Sequence, residues 1–220
     1  MAVRRAVHWL GEILITLGVV ALLFVGYLVF WTNVQADARA QTLTNSLVRT
    51  WETRPHGTAG PTGKVDPGPV PMVAGQAFAV MRIPRLGAGW SSPVIAGVTL
   101  PDLAEGVGHY PGTAAPGQIG NFAVAGHRRT HGQPFADLQL LRPGDKVVVE
   151  TATAVYVYQV DNDPNATIVL PTAVWVIEPV PGKPTVTPTS ALITLTTCNP
   201  TWNSSHRMIV FGHLISTQVK

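Results

Sequence analysis

Apolar positions along this chain follow two different regimes. From Ile13 to Trp31, in ILITLGVVALLFVGYLVFW, 19 residues pass without a charge, enough for a helix to cross about 30 Å of hydrocarbon. From Ala77 onward the apolar residues come instead in short bursts: AFAVMRIPRLG, SPVIAGV, NFAVAGH, KVVVE, AVYVYQV, AVWVIEPV, ALITLTT and RMIVFGHLI. Between them stand RPGD, DNDPN, VPGKP and NPTWNSS, where Gly, Pro, Asn and Asp supply turn chemistry. The spacing predicts about eight strands with no long helices between them, while LPDLAEGVGHY and FADLQLL each predict a turn or two of helix. A set of short strands protects its edges best by closing on itself. The expected fold is therefore mainly all-β, a closed or nearly closed eight-stranded, antiparallel-dominated barrel preceded by a transmembrane helix.

Arg4 and Arg5 precede the apolar run, and positive charge on that side predicts a cytoplasmic N-terminus over residues 1–12, an anchor over 13–31 and export of everything after it. Small-x-small sites at Ala36/Ala38 and Ala38/Ala40 offer a signal-peptidase alternative. The apolar run exceeds the roughly 7–15 residues of a signal core, which favours an uncleaved single-pass anchor in the plasma membrane. Residues 32–75 read as an extracellular linker. Its first half is expected to continue the helix for a few turns, and its second half, RPHGTAGPTGKVDPGPVPM, is too rich in Pro and Gly for any period and reads as extended spacer. Residues 76–220 form the candidate catalytic domain.

Composition narrows the classes further. The chain has 220 residues, 46% of them hydrophobic and 12% charged, with 15 Lys+Arg against 12 Asp+Glu. The basic residues are scattered rather than gathered into a stripe, so nucleic acid is not expected as a partner. The acidic residues are equally sparse, and the pattern implies neither a metal nor another cofactor.

One residue then changes the picture. Cys198 is the single cysteine, and an unpaired thiol in an exported domain signals either intermolecular pairing or a free thiol with a use. A buried free Cys that packs as a small hydrophobe is the bland alternative. Cys198 stands where ALITLTT ends and NPTWNSS begins, which places it at a rim, where reactive groups sit. A thiol of pKa ~8.5 needs a helper to act near neutrality, usually a histidine. His8 precedes the anchor and His56 lies in the linker, leaving His109, His127, His131, His206 and His213. His127 closes the strand-like NFAVAG; the loop residues His109 and His131 are expected to be solvated or to brace backbone, and His206 and His213 to face water or a local carbonyl. Arg207 lies nine positions after Cys198 and opens the next strand. If the two strands form a hairpin, both residues share the rim, and a guanidinium there suits a developing oxyanion or a substrate carbonyl. A strand-edge ion pair with Asp102 or Glu105 is the alternative use of Arg207.

These residues carry a family likeness. TLTTC, Thr194 to Cys198, resembles the TLxTC signature of sortases, membrane-anchored cysteine transpeptidases of Gram-positive bacteria, with a His upstream and an Arg nine residues downstream. The resemblance covers Gln76 to Ser216. HYPGT and AGHRxxHGxPF are similar to class E members, which favour LAxTG over LPxTG sorting signals. It implies the sortase-type barrel, with Cys198 as nucleophile, His127 as acid/base, Arg207 as oxyanion or orienting residue and Tyr110 reading the second signal position, while Thr197 is expected to touch bound peptide. It also implies sorting-signal-bearing surface proteins and a peptidoglycan-precursor amine as partners. The linker's VDPGP lacks the aromatic of the pilin-polymerase lid, so pilin polymerisation is disfavoured. A Cys/His hydrolase acting on cell-wall or surface peptides and a catalytically silent anchored binding module remain the alternatives.

Overall fold

A computed structural model describes residues 2–53, 68 and 70–220. It begins with one continuous helix, α1 (Ala2–Glu52). Within it Arg4–Tyr27 is long and apolar enough to cross a bilayer, overlapping the anchor expected over 13–31. The helical half of the expected linker is present through Glu52; most of its Pro/Gly-rich half lies outside the described residues.

Nine strands follow: β1 (Ala77–Arg82), β2 (Ser91–Ala96), β3 (Val107–His109), β4 (Gly120–Ala125), β5 (Lys146–Glu150), β6 (Ala154–Val160), β7 (Ile168–Val169), β8 (Ala191–Asn199) and β9 (His206–Val219). Eight of them form a ring in the order β6-β5-β1-β2-β3-β4-β8-β9, closed by β9 pairing back onto β6. Closure works because the 14-residue β9 divides its labour: Met208 and Arg207 pair with β7, and Gly212 to Val219 pair with β6. The ring is antiparallel apart from β2/β3 and β4/β8. Alternating residues fill its interior, among them Met81, Phe122, Val149, Tyr158, Leu195 and Val210, all fully buried. Burial of apolar area on this scale is the main favourable term.

Two local expectations fail, and they offset each other within the eight-strand ring, the ninth strand being the two-residue β7 outside it. AVWVIEPV is a 3-10 turn over Val174–Ile177. Pro171, Pro179 and Pro181 crowd the run, only Val176 of the turn is buried, and the Asn121 side chain takes the carbonyls of Val176 (3.2 Å) and Glu178 (3.0 Å) that a ladder would need. Conversely, LPDLAEGVGHY is helical only over α2 (Leu100–Glu105), capped by reciprocal Thr99–Asp102 bonds, and its remainder supplies β3. Three residues are too few to show alternation. His109 ends β3 buried between Phe78 and Phe122, with Nε2 donating to the Ala114 carbonyl (3.1 Å). It braces backbone as expected, but from inside the barrel wall rather than from a loop. Burial, partly opposed by that bond, pushes its pKa down.

Candidate active site

The site is built where β4 and β8 end and β9 begins. In the β8/β9 ladder Cys198 lies directly opposite Arg207, and opposed residues of an antiparallel pair share a face with Cβ atoms about 4.5–5.5 Å apart. Arg207 is steadied by its own hairpin loop, Nη1 donating to the carbonyls of Ser204 (3.0 Å) and His206 (2.9 Å). Neither Asp102 nor Glu105 pairs with it among the described residues, so the guanidinium is spent on loop carbonyls and keeps its remaining donors.

β4 runs parallel to β8 on the other side, with Ala125 opposite Thr196. The ladder continues one step: Gly126 N donates to the Thr196 carbonyl (3.1 Å) and Thr197 Oγ1 donates to the Gly126 carbonyl (2.8 Å). His127 is the next residue, so its backbone leaves the sheet beside Cys198. A methyl on Gly126 would sit 2.5 Å from the Phe135 ring; only glycine lets that fully buried ring close under the turn. Phe135 N then donates to the His127 carbonyl (3.0 Å), pinching residues 127–135 into a loop. On its far side the His131 ring stacks on that of His127 at 5.0 Å between centroids. His127 Nε2 is buried with no hydrogen-bond partner among the described residues. Burial, and second the neighbouring His131, hold the His127 pKa below the ordinary imidazole value, which favours a neutral ring with one nitrogen free for a proton. The other histidines have partners elsewhere: His206 meets Ser205 Oγ (2.9 Å) and His213 meets Asp161 Oδ1 (2.7 Å).

Cys198, Arg207 and the residue that follows Gly126, His127, thus stand at one end of three adjoining strands, and a sulfur, an imidazole and a guanidinium are groups that acyl transfer uses. The family model for the sortase domain matches residues 81–215. The chain belongs to the sortase family. It is 38% identical over 213 residues to sortase SrtE1 of Streptomyces coelicolor, covering 94% of this chain and 56% of that protein. It is 34% identical over 224 residues to sortase SrtE2 of the same organism, covering 97% and 84%. The chain therefore spans little more than half the length of SrtE1. Among solved structures, sortase E from Streptomyces avermitilis matches with a TM-score of 0.60 at 49% identity, over 67% of this chain and 93% of that one. Sortase E1 from Streptomyces coelicolor with a tripeptide in the active site matches at 0.58 and 37%, over 68% and 94%.

The remaining expected residues of this sortase separate by strand alternation. Thr196 lies on the Cys198 face of β8, and Tyr110 OH meets its hydroxyl at 3.0 Å, so the tyrosine lies over the same face, two residues from the thiol. Thr197 points the other way. It is 2% exposed and its hydroxyl donates to the Gly126 carbonyl, so Thr197 fastens the end of β4 to β8. Two residues escaped the sequence reading. Arg128 Nη1 donates to the Cys198 carbonyl (3.3 Å) and to Asn199 Oδ1 (2.5 Å), and Nη2 to Gln139 Oε1 (2.9 Å), which ties the histidine turn to the cysteine turn. Its signal was adjacency to His127 in GHRRTHG. Asn121, 1% exposed, clamps the β7–β8 loop while accepting from Thr194 Oγ1 (2.9 Å), and nothing in the sequence distinguished it from other asparagines.

Proposed function

We propose that this sortase is a membrane-anchored, class E-like cysteine transpeptidase that cleaves an LAxTG- or LPxTG-type signal between Thr and Gly and joins the upstream protein to a cell-wall amine. The observation that carries the reading is the register that sets Cys198 opposite Arg207 with His127 leaving β4 beside them. Neutral His127 takes the proton of the Cys198 thiol, and the thiolate so formed attacks the threonine carbonyl carbon while Arg207 receives the charge on oxygen. The C–N bond breaks, His127 gives its proton to the departing glycine amine, and a thioester to Sγ remains. A peptidoglycan-precursor amine then attacks the thioester carbonyl, His127 takes a proton from it, and the thiolate leaves. Tyr110, on the Thr196 face, contacts the second residue of the signal. The class is supported by identity to the sortase E structures. A plasma-membrane location, with residues 1–12 cytoplasmic and the barrel outside, is supported by Arg4 and Arg5 ahead of the apolar span.

The test incubates the full chain in detergent with LAxTG and LPxTG peptides, with and without an amine acceptor. Amine-dependent ligation is expected, and Cys198→Ala abolishes it while the thermal transition is kept. Transfer by Cys198→Ala removes the nucleophile. Cleavage at one rate and to one product whatever the amine replaces transfer by hydrolysis.

A further inference from the structure

The second half of α1 does not stand clear of the barrel. Ala36, Thr44 and Trp51 are buried, and Lys220 Nζ lies over the Trp51 ring at 4.8 Å from its centroid. Along the seam runs a cavity of about 370 Å³ lined by Ala36, Asp37 and Gln41 from the helix, and by Trp90, His131 and Gly132 from the barrel side. At its edge helix and histidine turn meet: Gly132 N donates to Asn33 Oδ1 at 3.3 Å. Gly132 has φ +70°, and a methyl there would stand 2.6 Å from Asp37 Oδ1 and 3.5 Å from Asp37 N, so the Asp37 carboxylate lies against the turn. His131, immediately before it, holds φ +53°, a left-handed conformation that a non-glycine residue keeps only when its surroundings fix it. The His131 ring is the one stacked on His127.

We propose that Asn33 is a positioning residue for His127, acting through Gly132 and the His131 stack, so that the helix leading out of the membrane sets the geometry of the acid/base. The chain of contact is short: helix side chain, turn amide, left-handed His131, His127. Asn33 follows Tyr27, the end of the apolar span, by roughly 9 Å of helical rise. The element that fixes the barrel to the bilayer therefore also presses on the catalytic turn. The functional consequence rests on His127 being the acid/base, but the coupling itself does not.

The experiment uses the full chain in detergent micelles, with the Asn33→Leu and Asn33→Asp variants. Leucine cannot accept from the Gly132 amide, whereas an aspartate oxygen can. Asn33→Leu is expected to lower kcat for peptide-to-amine transfer roughly tenfold with KM little changed, and Asn33→Asp to restore most of it. NMR titration of the His127 ring reads the coupling without any activity. In Asn33→Leu the ring should titrate at higher pH, as both its burial and its stack on His131 loosen. Gly132→Ala should lower kcat as well, and adding Asp37→Ala should recover part of the loss by removing the atom the new methyl meets. An Asn33→Leu enzyme with wild-type kcat and an unmoved His127 titration overturns the proposal. An inactive wild-type chain whose His127 titration still responds to Asn33→Leu leaves the coupling standing and removes the transpeptidase reading instead.

Discussion

The β8/β9 hairpin and the 127–135 turn bring their groups to the same mouth by different physics. Cys198 and Arg207 are placed by a ladder: eight consecutive pairs from Leu192↔His213 to Asn199↔His206 run without a register shift, and each cross-strand pair reinforces the next. His127 has no such ladder beyond Gly126. It is held by a buried ring beneath it in Phe135, a left-handed neighbour beside it in His131, an arginine bridge to Cys198 in Arg128, and α1 behind. A ladder tolerates the loss of one side chain because its bonds are backbone. A turn assembled from individual tertiary contacts loses its geometry when one of them goes.

The comparison can be broken from either side. Arg207→Lys keeps the charge and the ladder but not the fork, and should cost on the order of 10²–10³ in kcat with the thermal midpoint almost unchanged, as single-turnover kinetics and calorimetry would record. Phe135→Ala empties the base of the turn and should destabilise by about 3–5 kcal/mol, measured by chemical denaturation, with His127 losing its burial. Thr197→Val leaves the Gly126 carbonyl without its hydroxyl partner and should cost about 1–2 kcal/mol; disproportionate loss of kcat would show that the seam between β4 and β8 matters more to His127 than to the barrel.

A smaller effect is set by pH. His127 titrates lower in the folded chain than its ordinary value of 6.5, so the fold favours the neutral ring. That contribution to stability is complete above the unfolded pKa and is lost as pH falls through the lower, folded one. His131→Ala removes the second of the two causes. The His127 ring should then titrate at higher pH, and the acid-side loss of stability should shrink. Glu150 provides the contrast far from the mouth. Burial pushes its pKa up, but its bonds to Lys220 and Arg82 outweigh this and hold it below the usual 4.5. Its stabilising contribution is present above that value and fades as pH falls through the folded pKa, so Glu150→Gln should flatten the acid limb of a stability profile without moving the His127 titration.

Much of this sortase was legible in its residues because the signals are local. A 19-residue uncharged run needs no partner to be read as a span, and period-2 bursts between turn residues announce strands whatever they pair with. The end of ALITLTT and the start of RMIVFGHLI marked a hairpin rim, because antiparallel strands joined by a short loop have little choice of register. Three-dimensional packing decided the rest. It selected β3 from a stretch that looked helical, since Val107 and His109 gain burial there, and bent AVWVIEPV into a turn, since a distant Asn121 claims its carbonyls. It turned Thr197 inward, brought Arg128 onto the Cys198 carbonyl, and laid α1 against a turn 99 residues away. Periodicity reports which face of an element is apolar, but a contact between two elements depends on where each comes to rest. The sequence therefore named the candidate reacting groups, and only the folded chain disclosed what holds them in place.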